Sequence, residues 1–221
     1  MMHSIPAPLR RGALALLVAT LALAAPAAAA RSRHDDGERL RFTGFVTDRE
    51  GQPLAQVTVA LEIARDTFDV LSFRRTKKDL LRLTTVTNEQ GEYSFEWTWN
   101  GYYNSFELAA GMVVKKPDGD RLRVLERLDV SQKARRGNPV VAAIVIADAD
   151  FVRNLQAFLA SIASEDQRRV HGEAGEPDKV ERLEHPDHVE VAWWYFELGK
   201  VYRFRDGRLV EVEPFKPVKE L

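Results

Sequence analysis

Residues 40–147 form short runs in which apolar and polar side chains alternate, each closed by Gly, Pro, Asn or Asp, and no other feature of the chain constrains its fold as strongly. An alternation of period two gives each strand one apolar and one polar face. The runs are residues 41–47, 57–63, 83–87, 93–99, 105–114, 122–130 and 140–146, with Glu50-Gly51-Gln52-Pro53 and Asn88-Glu89-Gln90-Gly91 as the clearest turns. A series of such strands with turn residues between them predicts an all-β sandwich. Residues 65–79 fit less well and read either as a longer connection or as an irregular edge strand through residues 68–73.

After Ala147 the period changes. Phe151, Leu155, Phe158, Leu159 and Ile162 share one helical face, with Asp148 or Asp150 placed to cap its start. Ser164 followed by Gln167 has the spacing of a capping box and predicts a second short helix ending before Gly175 and Pro177. Strand patterning returns over residues 189–196, 200–204 and 208–212. Asp206-Gly207 between the last two is a hairpin signal, because a tight turn needs positive φ. The expected class is mainly β: a sandwich over residues 40–147, then a small α+β module over residues 148–221 with two helices and a three-stranded antiparallel meander.

The first thirty residues fix the compartment. Arg10 and Arg11 precede an apolar stretch over residues 12–25, and the small residues 26–30 offer cleavage sites, so residues 1–30 read as a secretory signal cut after Ala30. The alternative is an uncleaved anchor, but the stretch is Ala-rich and interrupted by Pro26, weak for a span of ~20 residues. The expected location is periplasmic or secreted, with no membrane span after cleavage and residues 31–39 as a flexible N-terminus. Removing Arg10 and Arg11 from the 32 basic side chains leaves 30 against 33 acidic ones, a net charge of −3. Basic and acidic residues are interleaved, which argues against nucleic acid and against a membrane-surface module. The densest basic run, residues 74–78, reads as a solvated turn. The absence of cysteine removes disulfides, a thiol nucleophile and a lipid-modified N-terminus.

Two resemblances follow from these segments. G-F-V-T-D-R-E-G-Q-P-L-A-Q-V-T-V over residues 44–59, followed by T-N-E-Q-G-E-Y-S-F over residues 87–95, resembles the carboxypeptidase regulatory-like domain, a transthyretin-like β-sandwich carried by many exported proteins. That likeness implies a fold and no activity, because such domains are appended to enzymes, transporters and adhesins alike. A-G-E-P-D-K-V-E over residues 174–181, W-W-Y-F over 193–196 and Y-R-F-R-D-G-R-L-V over 202–210 resemble the BamE/SmpA-type module. In that family two helices lead through a Gly-x-Pro turn into a meander, and the proteins assist outer-membrane protein assembly or bind envelope partners. BamE itself is a lipoprotein, and this chain has no cysteine to acylate.

The candidate sites are aromatic or histidine-rich. Tyr93, Phe95, Trp97 and Trp99 fall on one strand face, which is either sandwich core or, extended by Tyr102 and Tyr103, a platform for sugar rings. Trp99, Tyr102 and Tyr103, at the strand end, are the binding candidates there. Trp193, Trp194, Tyr195 and Phe196 put aromatics on both faces of one strand. One pair is expected to pack on the Phe151, Leu155 and Phe158 helix face, and the other under the sandwich or a partner, which makes Trp193 and Trp194 binding candidates. His185, Asp187 and His188, with His171 and Glu184, are potential metal ligands. Nothing in their spacing forces the imidazoles together, so an exposed connection with no metal is expected. G-x-S-x-G, H-E-x-x-H, Walker A and dinucleotide motifs are missing, and no cofactor or catalytic residue is assigned. These features together describe a non-enzymatic exported binding or scaffolding protein of the bacterial envelope with a protein partner. The alternatives are a carbohydrate-binding accessory protein and a carboxylate-dependent hydrolase.

Overall fold

The computed structural model describes residues 33–69 and 73–217, so the expected signal sequence, residues 1–30, lies outside them. The chain is mainly β, with eleven strands in three sheets and three helices among the described residues. Alternation builds the first sheet: β1 (Arg39–Thr47) buries Leu40, Phe42 and Val46 and turns Arg41 and Phe45 outward. It pairs antiparallel with β4 (Glu92–Thr98) and parallel with β7 (Val140–Val145). The second sheet is antiparallel, with β2 (Thr58–Asp69), β3 (Arg74–Val86), β5 (Ser105–Val114) and β6 (Arg121–Asp129) in the order β3-β2-β5-β6. The inner faces of the two sheets share one core, with Phe42 and Phe106 stacked across it at 6.1 Å. The arrangement is sandwich-like.

Residues 65–79, left open by the sequence, are an edge hairpin. Beyond a bulge at Ile63/Arg65, β2 and β3 stay paired from Arg65↔Lys78 to Asp69↔Arg74. Residues 74–78 are therefore strand rather than turn, held by opposite charges across the pair such as Arg75 and Asp66 at 3.3 Å. On the outer face of this sheet, Ala60 and Ala109 are fully buried while Glu62 lies between Arg82 and Arg127, and Glu107 between Arg127 and Lys77. Small residues there leave room for arginine stems to lie across the sheet.

Residues 33–38 lie against the end of the β1–β4 pair. The Gly37 N–H donates to Trp99 O at 2.9 Å, the Trp99 N–H to Glu38 O at 2.7 Å, and the His34 ring packs on Trp99 at 5.2 Å. Continuing the β1–β4 ladder past its end satisfies backbone groups that would otherwise be buried unpaired.

A short helix, α1 (Ser131–Arg136), connects β6 to β7. Helix α2 (Ala149–Ser161) starts where Asp148 accepts from the Phe151 N–H, and α3 (Glu165–Ala174) starts at the Ser164/Gln167 capping box. The third sheet is a meander of four strands, one more than expected: β8 (Lys179–Glu184), β9 (Val189–Tyr195), β10 (Lys200–Arg205) and β11 (Arg208–Pro214). The added strand is β8. Its K-V-E-R-L-E sequence puts Val180 and Leu183 on opposite faces, so an exposed edge strand shows no alternation. Asp206 and Gly207, with φ of 48° and 80°, close the β10–β11 hairpin as their sequence demands.

Helix α2 serves two cores. Ala149, Val152 and Leu155 enter the sandwich core, Ile162 packs on a second cluster built on Val170, Trp193, Tyr195 and Phe204, and Phe158 touches both. The helix thus does not pack on the meander alone, because its apolar arc is wide enough to be divided between two neighbours.

Candidate binding sites

The aromatic row of β4 belongs mostly to the core. Tyr93 and Phe95 are buried, and Trp99, only 3% exposed, stacks on Phe106 with ring centroids 5.5 Å apart. Tyr103 turns edge-on to the part-buried Trp97 at 5.8 Å. Of the three strand-end candidates only Tyr102 faces water, 47% exposed, and its hydroxyl donates to Asp79 while Arg65 lies 5.5 Å from its ring centroid. Trp99, Tyr102 and Tyr103 therefore do not share a platform. Burying the Trp99 indole between Phe106 and His34 removes the flat surface a sugar ring needs.

The β9 aromatics are likewise divided. Trp193, 1% exposed, is core, with Phe158 at 5.2 Å and Phe204 at 4.8 Å. Trp194, on the opposite face, is half-buried: its indole N–H donates to Glu181 at 3.0 Å and its ring meets Phe215 at 5.8 Å. That face was expected to need the sandwich or a partner. Instead the segment after β11 returns over it, anchored by the Phe215 N–H on Gly199 O at 2.8 Å.

His171 bonds Glu176 at 3.2 Å, and Glu184 pairs with Arg182 at 3.0 Å. His185 and His188 come together in the β8–β9 turn, their rings stacked at 4.4 Å, and Glu190 joins them. Glu190 was not singled out in the sequence, because its place beside the histidines depends on the β8–β9 register.

A cleft of about 830 Å³ lies between the open end of the sandwich, α2 and the α3–β8 connection. Val114, Phe151, Leu155 and Phe158 give it an apolar floor, and Lys116, Arg123 and Lys179 bring positive charge to it. Its acids are already engaged: Glu176 with His171, and Asp178 accepting from the Phe196 N–H at 2.6 Å. Lys179 pairs with Glu181 at 2.6 Å. Lys116 and Arg123 have no carboxylate within ion-pair distance among the described residues, and Arg123 instead lies over the Phe151 ring at 4.0 Å. A concave apolar surface with a few placed charges is the usual form of a binding site. Sequence reasoning found Phe151, Leu155 and Phe158 as a helix face. It missed Lys116 and Arg123, because only the tertiary fold brings β5 and β6 beside α2.

No protein-family model and no curated protein matches the chain. Among solved structures, a 9R-lipoxygenase from Cyanothece is similar over 53% of this chain at 13% identity, with a TM-score of 0.28. The match spans 17% of the lipoxygenase chain, and a likeness this slight carries no argument about fold or function.

Proposed function

We propose that the protein is a non-enzymatic binding protein exported to the bacterial envelope, taking an apolar, acidic segment of an envelope protein into the cleft between the sandwich and α2. The observation that carries this reading is the pair of cations, Lys116 and Arg123, without carboxylate partners among the described residues and beside the apolar floor of Phe151, Leu155 and Phe158. Such a surface rewards a ligand that brings both negative charge and apolar area. In this reading the first two sheets are a carboxypeptidase regulatory-like, transthyretin-like domain, and α2, α3 and the meander are a BamE/SmpA-like module. Two helices running through Gly175 and Pro177 into a meander support the second assignment. No helix among the described residues is long and apolar enough to cross a membrane.

The carboxylates bear on the alternative of a carboxylate-dependent hydrolase. A carboxylate hydrolase needs one acid with a raised pKa beside an ionised partner. Among the described residues, every carboxylate that departs clearly from its ordinary value is lowered. They are Glu38, Asp48, Glu62, Glu107, Asp129, Asp166, Glu181, Asp187 and Glu190.

A photo-crosslinking residue at the exposed, cleft-lining Ala157 tests the reading in cells. It should trap a discrete envelope protein, and the Lys116→Glu/Arg123→Glu chain should lose that product while keeping its melting temperature. In vitro, 8-anilinonaphthalene-1-sulfonate, an aromatic anion, should bind at least tenfold more weakly to the same variant. Unchanged crosslinking and probe binding after charge reversal would overturn the assignment of the cleft.

A further inference from the structure

The β8–β9 turn places two histidines and a glutamate around one point. Glu184↔Val189 is the last strand pair, and the His185 N–H continues the ladder to His188 O at 2.9 Å. Residues facing each other across an antiparallel pair project to the same side, and so does the residue two further along the strand. His185, His188 and Glu190 therefore share one face. Their rings are stacked at 4.4 Å with planes 15° apart, and one ligand atom from each residue lies within 4.8 Å of the others. His188 Nε2 is 3.1 Å from Glu190 Oε1, and His185 Nε2 is 3.9 Å from Glu190 Oε2.

We infer that His185, His188 and Glu190 form a surface site for a divalent first-row transition ion, of which Zn2+ is the type case. Two imidazole nitrogens and a carboxylate oxygen are a borderline donor set suited to Zn2+, and three protein ligands leave a position for water. At bond lengths of about 2.0–2.2 Å, ligand atoms around a tetrahedral ion sit about 3.3 Å apart. The present spacing closes to that by rotating side chains on an exposed turn.

A second observation points the same way. Asp187 lies 2.9 Å from His188 Nδ1, on the far side of the ring from Glu190. A carboxylate on the second nitrogen is the outer partner that orients metal-binding histidines and raises their basicity. The charged groups around the site are Asp187, Glu190 and Arg205, with Asp206 behind accepting from the Val189 N–H. Arg205, paired opposite Glu190 in register and 3.0 Å from its Oε1, competes with the ion for that oxygen. The site is separate from the cleft and does not depend on it.

Zn2+ titration of the purified, untagged protein against a chromophoric chelator tests the site. One ion per chain is expected, with affinity lost at least tenfold in His185→Ala and in His188→Ala and weakened in Glu190→Gln. Asp187→Asn should weaken binding by about 10-fold or more through the outer partner. Arg205→Ala should tighten it severalfold, an outcome that a purely structural role for the turn does not produce. His171→Ala is the control and should leave affinity unchanged. Because His185 is exposed, circular dichroism should show its variant folded. No saturable Zn2+ binding, or equal loss in His171→Ala and His185→Ala, would overturn the inference.

Discussion

Gly44→Ala adds one methyl group where the structure has no room for it. Gly44 sits in the central strand of its sheet, opposite Tyr93 on β4 and Ala142 on β7. A Cβ there would lie 1.7 Å from Ala142 O and 2.8 Å from the Tyr93 hydroxyl. The first contact is with backbone, so no rotamer change relieves it and β7 must move. The Tyr93 hydroxyl donates to Ala142 O at 2.7 Å in a buried bond, and burial raises the phenol well above its usual value, keeping it a donor. Overpacking costs about 1–3 kcal/mol, and leaving this buried pair unmade adds about 1–3 kcal/mol. The sum is about 2–6 kcal/mol, and at about 2–4 °C per kcal/mol for a domain of this size it lowers Tm by roughly 4–24 °C. Strand propensity alone gives the opposite sign, because Gly inside a strand is worse than Ala by roughly 0.5–1 kcal/mol. Urea unfolding followed by tryptophan fluorescence measures the difference. Tyr93→Phe should cost less than Gly44→Ala, and the double variant should cost less than the sum, since one hydrogen bond cannot be lost twice. A Gly44→Ala chain as stable as the parent would refute the packing argument.

Leu155→Ala, although on α2, should destabilise the sandwich by about 2–5 kcal/mol; a loss below about half a kcal/mol in urea would place that side chain outside the core. In Glu62 and Glu107 burial pushes the carboxyl up, but hydrogen bonds from Arg127 with Arg82, and from Lys77 with Arg127, hold both below the ordinary range. Their contribution is therefore complete above the unfolded value of about 4.3 and is lost as pH falls through the folded one. Urea midpoints measured against pH should drop below about pH 4, and Glu62→Gln should flatten that drop. Phe215→Ala should uncover Trp194, seen as a red-shifted emission with little change in Tm. Mass spectrometry of the full-length chain expressed in a bacterium should find Arg31 at the N-terminus of the recovered protein; an intact chain in washed membranes would show that residues 1–30 are retained.

Legibility followed burial. The strands with one face in the core, β1, β4 and β5, were readable because Leu40, Phe42, Tyr93, Phe95 and Phe106 alternate with polar neighbours. The helix starts were readable because capping is local: Asp148, Ser164 and Gln167 carry their signals within four residues. The far half of the β2–β3 hairpin was not, since its pairing rests on cross-strand charges that leave no period in the sequence. The role of the tryptophans was legible only in part. Period two puts Trp193 and Trp194 on opposite faces, but it does not say that Phe158 covers one and Phe215 approaches the other.

The same physics explains why the histidines were noticed and their convergence was not. Two imidazoles three residues apart in an unspecified loop have no required relation. The same two residues closing an antiparallel pair at Glu184↔Val189 must face each other, and Glu190 must then lie on their side. The strand that creates this relation is β8, an edge strand with most of its side chains in water, so nothing selects for alternation in its sequence. The information that assembles the site lies in β9, whose buried Ala192, Trp193 and Tyr195 anchor the register onto which β8 adds. A substitution that shifted β8 by one residue would flip its side chains to the other face and separate His185 from His188 without touching either. Register, more than ligand identity, is what this turn would have to preserve to hold an ion.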